Sequence, residues 1–217
     1  MSKIGIGIVT CNRTDFLKKC LKSIKEEWYD ELVVVNDGDI HIQASNTNII
    51  NNDKNIGVCK SKNLLFKELL KKDCDYIFIV EDDIDYKDIK IALNQHCVGA
   101  VCFYTRESLE KEGLFDEKFD KNNFEHVEHS YRLAKAGYST PYWWWSDLAN
   151  SLDYIEEQAC SEENSAIRRG NEWQKKIFDS ANIFKEKHGY LPAWEGCVPD
   201  TPIDDIVKFL KECKKKK

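Results

Sequence analysis

The stretch Asp75-Tyr76-Ile77-Phe78-Ile79-Val80-Glu81-Asp82-Asp83 decides how this chain is read. An unbroken apolar run ends in three consecutive carboxylates. A strand without polar alternation is buried on both faces, the pattern of a parallel sheet. In such sheets ligands sit beyond the carboxyl ends of the strands. Three acids at that point repel one another, and a divalent cation with the hydroxyls or phosphates it serves would relieve the repulsion. The run predicts an α/β fold and a metal-assisted reaction on a phosphorylated substrate.

Upstream the same pattern repeats. Residues 3–10 form a short apolar strand, in which Gly5 and Gly7 permit close backbone approach. Thr14 is placed to cap a helix whose inward positions are Phe16, Leu17, Cys20, Leu21 and Ile24. A second buried strand spans 31–36 and ends in the turn Asn36-Asp37-Gly38-Asp39, and a third spans 47–50. Gly57 opens a helix over 58–71 with Leu64, Leu65, Leu69 and Leu70 inward. The order strand–helix–strand–strand–helix–strand predicts a mostly parallel sheet with helices on its faces. The clusters after each strand, Thr10-Cys11-Asn12-Arg13, Asn36-Asp37-Gly38 and Glu81-Asp82-Asp83, then fall along one edge.

Downstream the reading is a short helix over 89–94, a strand over 98–104 and an acidic-aromatic loop over 107–119. A helix over 124–136 is closed by Gly137, an aromatic strand spans 142–145, and helical patterns fill 164–187 and 203–211. Without a linker or internal repeat, 217 residues read as one domain, 1–217. Its C-terminal part reads as helical.

A net charge of −6 argues against nucleic acid as the partner, because phosphate-backbone binding needs a basic face. The tail Lys214, Lys215, Lys216 and Lys217 reads as a solvated terminus, with weak contact to an anionic membrane as the other reading. The nine cysteines form no CxxC pair, and Cys11, Cys20, Cys59, Cys74, Cys97 and Cys102 lie in or beside apolar runs. They read as small buried hydrophobes in a reducing compartment. No signal peptide and no run of about 18 apolar residues is found, so a cytoplasmic enzyme without a transmembrane segment is expected.

The motifs Ile4-Gly5-Ile6-Gly7-Ile8-Val9-Thr10-Cys11-Asn12-Arg13, Val33-Val34-Val35-Asn36-Asp37-Gly38, Asn55-Ile56-Gly57-Val58-Cys59-Lys60-Ser61-Lys62-Asn63 and Glu81-Asp82-Asp83 stand in a telling order. Gly113-Leu114-Phe115-Asp116-Glu117-Lys118-Phe119 follows, then Phe124-Glu125-His126-Val127-Glu128-His129-Ser130-Tyr131-Arg132 with Ala136-Gly137-Tyr138. In this order, over roughly residues 3 to 140, the chain resembles the inverting glycosyltransferases of family 2, which have the GT-A fold. Glu81-Asp82-Asp83 is then a variant of their DxD motif.

The resemblance implies a nucleotide-sugar donor, most simply a UDP-sugar, a glycan or glycosylated-protein acceptor, and Mn²⁺ or Mg²⁺ as cofactor. It places Thr10, Asn12 and Arg13 in the nucleotide pocket and Asp37 against the uracil ring. Lys62 and Asn63 lie near the nucleotide and phosphates, Glu81 and Asp82 on the ribose side, and Asp83 on the metal. The family's Glu-Asp dyad falls on Glu125-His126, so the expected Asp is a His. Glu125 is the favoured general base, with Glu128 one turn later as the second candidate. An exposed helix face is the other reading of Lys62.

His126 and His129 could share a metal, but zinc would need a third ligand that the nearby sequence lacks. His188 reads as a surface residue before a helix-ending Gly. Trp143, Trp144 and Trp145 serve either as core or as sugar-stacking rings. Three other classes make distinct demands on the sequence. A receiver domain needs a Lys-Pro pair, which is absent. A nucleotidyltransferase needs a Gly-rich basic loop, whereas Gly5 and Gly7 lie within a strand. A GT-A-like domain that binds sugar nucleotide or glycan without turnover stays open.

Overall fold

The computed structural model describes residues 2–44, 47–84, 101–119, 124–138 and 171–190. The elements are β1 (Ile4–Thr10), α1 (Thr14–Ser23), β2 (Glu31–Asn36), β3 (Asn48–Asn51), α2 (Val58–Lys71), β4 (Tyr76–Glu81), β5 (Val101–Thr105), α3 (Arg106–Glu112), α4 (Glu125–Ala136) and α5 (Asn171–His188). The five strands form one sheet in the order β3-β2-β1-β4-β5. The first four are parallel and β5 runs antiparallel against β4. The fold is the expected α/β class, with a mostly parallel sheet flanked by helices.

The core follows from the apolar runs. Val33, Val34, Val35, Ile77 and Ile79 are fully buried, as a sheet covered on both faces requires. Helix α2 packs on β1 and β2 through Leu65, Phe66 and Leu69. The two strand glycines make that approach possible. A Cβ on Gly5 would stand 2.8 Å from both Cys74 Sγ and Leu69 Cδ2, and one on Gly7 would stand 3.1 Å from Leu65. A second apolar cluster joins Phe119, Phe124, Val127 and Tyr131 to Ile177, Ala181, Phe184 and Tyr190, and so fixes α5 against α4.

Several expectations are corrected. Thr14 is the first residue of α1 rather than its cap, a position taken by Arg13. Much of 107–119 is helical, because Thr105 Oγ1 accepts the Ser108 amide at 3.1 Å and starts α3. Cys11 is exposed, whereas Cys20, Cys59, Cys74 and Cys102 are buried as expected. Gly137 ends α4 at φ 87°, the left-handed conformation a glycine takes without strain. The expected elements at 89–94, 142–145 and 203–211, together with Cys97, the three tryptophans and the lysine tail, lie outside the described residues.

Candidate active site

Strand register brings the polar clusters together. Thr10 lies opposite Asn36 across β1 and β2, and Val9 lies opposite Glu81 across β1 and β4. The chain builds outward from β1 to β2 and β3, then returns to the other side of β1 as β4. The gap between β1 and β4 is therefore the point where strand order reverses, the usual ligand crevice of open α/β sheets. A cleft of about 500 Å³ opens there, lined by Thr10, Cys11, Arg13, Asp37, Asn55 and Glu81, and by Lys176 of α5.

The acids at the end of β4 are not equivalent. Asp82 is fully buried and accepts from Thr10 Oγ1 at 2.6 Å and from Arg13 Nε at 3.2 Å, with Arg13 Nη2 on its other oxygen. Burial raises its pKa; Arg13 and Thr10 oppose that rise without cancelling it. Arg13 in turn lies over the Phe16 ring. Asp83 is 4 % exposed, and its Oδ1 has no hydrogen-bond partner among the described residues. Burial first, then the Glu81 charge, push Asp83 up to about 7. An unpartnered buried carboxylate oxygen among like charges fits a cation. Among the described residues no three His, Cys, Asp or Glu side chains converge on a metal position.

Lys62 is 1 % exposed and stands between two carboxylates, 3.1 Å from Glu81 Oε1 and 3.2 Å from Glu125 Oε1. Burial alone would lower its pKa, but the two acids raise it above the ordinary lysine value. The reading of Lys62 as an exposed helix face is thereby corrected. Glu125 is 2 % exposed, and its Oε1 also accepts from His126 Nδ1 at 3.4 Å. Its Oε2 has no hydrogen-bond partner among the described residues. Burial would raise its pKa; Lys62 and His126 outweigh burial and hold the carboxyl well below the usual range.

Glu128 faces another way. It is fully buried, and Arg132 Nε lies 3.0 Å from both its oxygens, Lys187 2.8 Å and His188 Nε2 3.1 Å from Oε1. Burial is overcome by these three partners, which hold its pKa at about 2. Arg132 also donates to the carbonyls of Glu112 and Leu114. Glu128 thus pins α5 and the 112–114 turn to α4. His188 is packed on Tyr131 and Phe184, not exposed as expected. His129 is buried among Phe66, Tyr104 and Phe115, and its Nε2 donates to the Gly113 carbonyl at 2.8 Å.

The remaining expected residues shape loops. Asp37 Oδ1 accepts from Asn52 Nδ2 and the Ile56 amide, both at 2.8 Å, and Oδ2 accepts from the Gly57 amide at 2.9 Å. Asn63 pairs through both ends of its amide with the Phe115 backbone at 3.0 Å and so holds the 113–117 segment. Asn12 has φ 55°, and its Oδ1 accepts the Ile40 amide. A Cβ on Gly38 would stand 2.7 Å from the Asn12 amide nitrogen, so the two loops need a glycine there.

Sequence reasoning missed Lys176 and the cleft position of Cys11. Cys11 sits between Asn55 Nδ2, 3.5 Å from its sulfur, and the Asp37 carbonyl, to which the thiol donates at 3.4 Å. Its place inside the first motif was the available signal. For Lys176 there was none, because only tertiary packing brings α5 to the cleft.

No protein-family model and no curated protein matches the chain. Among solved structures it is similar to the mannosyltransferase PcManGT from Pyrobaculum calidifontis in complex with GDP-Man and Mn²⁺, at 14 % identity and TM-score 0.46, over 62 % of this chain and 52 % of that one. It is similar to GalNAc-T7 with UDP, GalNAc and Mn²⁺ at 11 % identity and TM-score 0.47, over 63 % and 41 % of the two chains. It is also similar to S. aureus TarS at 11 % identity and TM-score 0.44, over 91 % and 49 %. The matched part is about half of each of these longer chains or less.

Proposed function

We propose that the cleft binds a nucleotide-sugar donor and that the protein transfers the sugar, with inversion, to a hydroxyl of a glycan or glycosylated acceptor. The observation that carries this reading is a pair of buried carboxylate oxygens at one end of the sheet, Asp83 Oδ1 and Glu125 Oε2. Neither has a hydrogen-bond partner among the described residues. Buried acceptors are rarely left unsatisfied without a functional reason. One suits a cation and the other a substrate proton.

The base end of the site is the wall of Asp37, Asn55 and Gly57. A carboxylate offers about four acceptor positions, and three on Asp37 are occupied. Oδ2 keeps room for one further donor, the number that the uracil ring N–H supplies. This supports a UDP-sugar. Asp83, with Glu81 beside it, would hold Mn²⁺ or Mg²⁺. When bound, that ion takes up charge on the departing diphosphate. Glu125 accepts the acceptor's hydroxyl proton on Oε2 while the acceptor's hydroxyl oxygen bonds to the anomeric carbon. The bond from this carbon to the phosphate oxygen breaks, and its electron pair leaves with the nucleoside diphosphate. Lys62 keeps Glu125 ionised and fixed in direction until it takes that proton.

A thermal-shift panel of nucleotide sugars with and without Mn²⁺ tests the reading. A ligand at 100 times its Kd adds about 2.7 kcal/mol. UDP-sugars should stabilise the protein only when Mn²⁺ is present, and incubation with an acceptor library should release UDP and give product of opposite anomeric configuration. Stabilisation without UDP release from any acceptor would favour a binding domain. No stabilisation by any nucleotide sugar would overturn the reading.

A further inference from the structure

We infer that Lys176 of α5 is a diphosphate-binding residue, so that α5 forms a working wall of the cleft and not merely a bracket outside it. The inference rests on the nucleotide reading above. Lys176 belongs to the cleft lining. Its backbone is fixed by the next residue, because Ile177, Ala181 and Phe184 are buried against α4 at helical spacing. The far end of α5 is held by Lys187 and His188 on Glu128, and by Lys187 on Asp116 at 2.5 Å. Lys176, one position off the buried stripe, is itself exposed on the cleft side.

The charge balance of the site gives this position its meaning. Glu81, Asp82, Asp83 and Glu125 gather at the end of the sheet. The cations nearest them are already engaged, Arg13 by Asp82 and Lys62 by Glu81 and Glu125. A diphosphate entering this field needs positive charge beyond what one divalent cation brings. Among the described residues no carboxylate takes the Lys176 ammonium. A flexible lysine on a fixed helix face can therefore meet the phosphates without giving up an existing ion pair.

The test is equilibrium binding of UDP, UMP and uridine, with Mn²⁺, to the wild type and to Lys176→Ala, Lys176→Arg and Lys175→Ala. Lys176→Ala should weaken UDP about tenfold, as loss of one partly solvated charge-assisted hydrogen bond does. Uridine binding should stay unchanged. Lys176→Arg should retain most of the affinity, and the neighbouring exposed Lys175→Ala should match the wild type. A wild type that binds UDP and a Lys176→Ala variant that equals it would overturn the inference alone. So would equal losses for UDP and uridine, which would mean wall shape and not charge. A wild type that binds none of the three overturns the nucleotide reading, and this inference falls with it.

Discussion

Lys62 Nζ lies 3.2 Å from Glu125 Oε1, and both side chains are buried. The pair ties α2 to the first turn of α4 and, through Glu81, to the end of β4. A buried pair gains little over an apolar pair of the same shape, but removing one partner strands the other charge and costs about 3–5 kcal/mol. In the wild type the Glu125 pKa is depressed, so its stabilising contribution is present above the unfolded value, near 4.3, and is lost as pH falls. In Lys62→Met the depression disappears and burial favours the protonated acid. Urea melts should show a gap between wild type and Lys62→Met that widens from pH 5 to pH 8. A gap of equal size at both pH values would contradict the pairing.

The two candidate bases should separate cleanly. Glu125→Gln keeps size and hydrogen bonding but cannot accept a proton, so transfer should fall about 10²–10⁴-fold while nucleotide binding persists. Glu128→Gln removes the anchor of Arg132, Lys187 and His188 and should cost about 3–5 kcal/mol of stability. The Glu128 pKa is held at about 2. Its contribution is therefore present above the unfolded value, near 4.3, and is lost as pH falls toward 2. The variant should begin acid unfolding at higher pH than the wild type. Stable, inactive Glu128→Gln together with fully active Glu125→Gln would reverse the assignment.

Cys11 offers a reporter that needs no acceptor. It lines the cleft and is exposed, whereas Cys20, Cys59, Cys74 and Cys102 are buried. Partial desolvation of its sulfur in the cleft raises the thiol pKa, so labelling should be slow at neutral pH and faster at pH 8 to 9. UDP with Mn²⁺ at ten times its Kd should slow alkylation of the Cys11 peptide about tenfold by mass action. Peptide mapping that shows no protection would place the nucleotide elsewhere.

Asp83 predicts a pH dependence of opposite sign to that of Glu128. Its pKa is raised to about 7, so the fold favours the protonated form and stability is lost as pH rises from about 4 to about 7. Asp83→Asn should therefore melt above the wild type at pH 8 and beside it at pH 4. Mn²⁺ should narrow the pH 8 difference by stabilising the wild type alone. A variant less stable than the wild type at pH 8 without metal would show that Asp83 serves the fold.

Much of the fold was legible because apolar runs and their punctuation are local. The strand at 31–36 and the helix at 58–71 stand where the pattern put them. The helix at 106–112 was missed because its start depends on one Thr105 cap within an acidic stretch that reads as a loop. In the site, the acids after β4 were visible as a cluster, but the side chains that engage them were not. Asp82 is claimed by Arg13, 69 residues away, and Glu128 by His188, 60 residues away. Lys62 stood near the nucleotide by resemblance, with an exposed helix face as the other reading, and its pairing with two acids 19 and 63 residues away was not legible. Such pairings are decided by tertiary packing, which no local pattern records.

The most direct measurement is calorimetric titration of UDP into the wild type and Asp83→Asn, each with Mn²⁺ and with EDTA. The site described here predicts tight binding only for the wild type with Mn²⁺, weak binding in the other three titrations, and equal thermal stability of the two proteins at pH 4 as evidence of an intact fold. Mn²⁺-dependent UDP affinity that is unchanged in Asp83→Asn would contradict it.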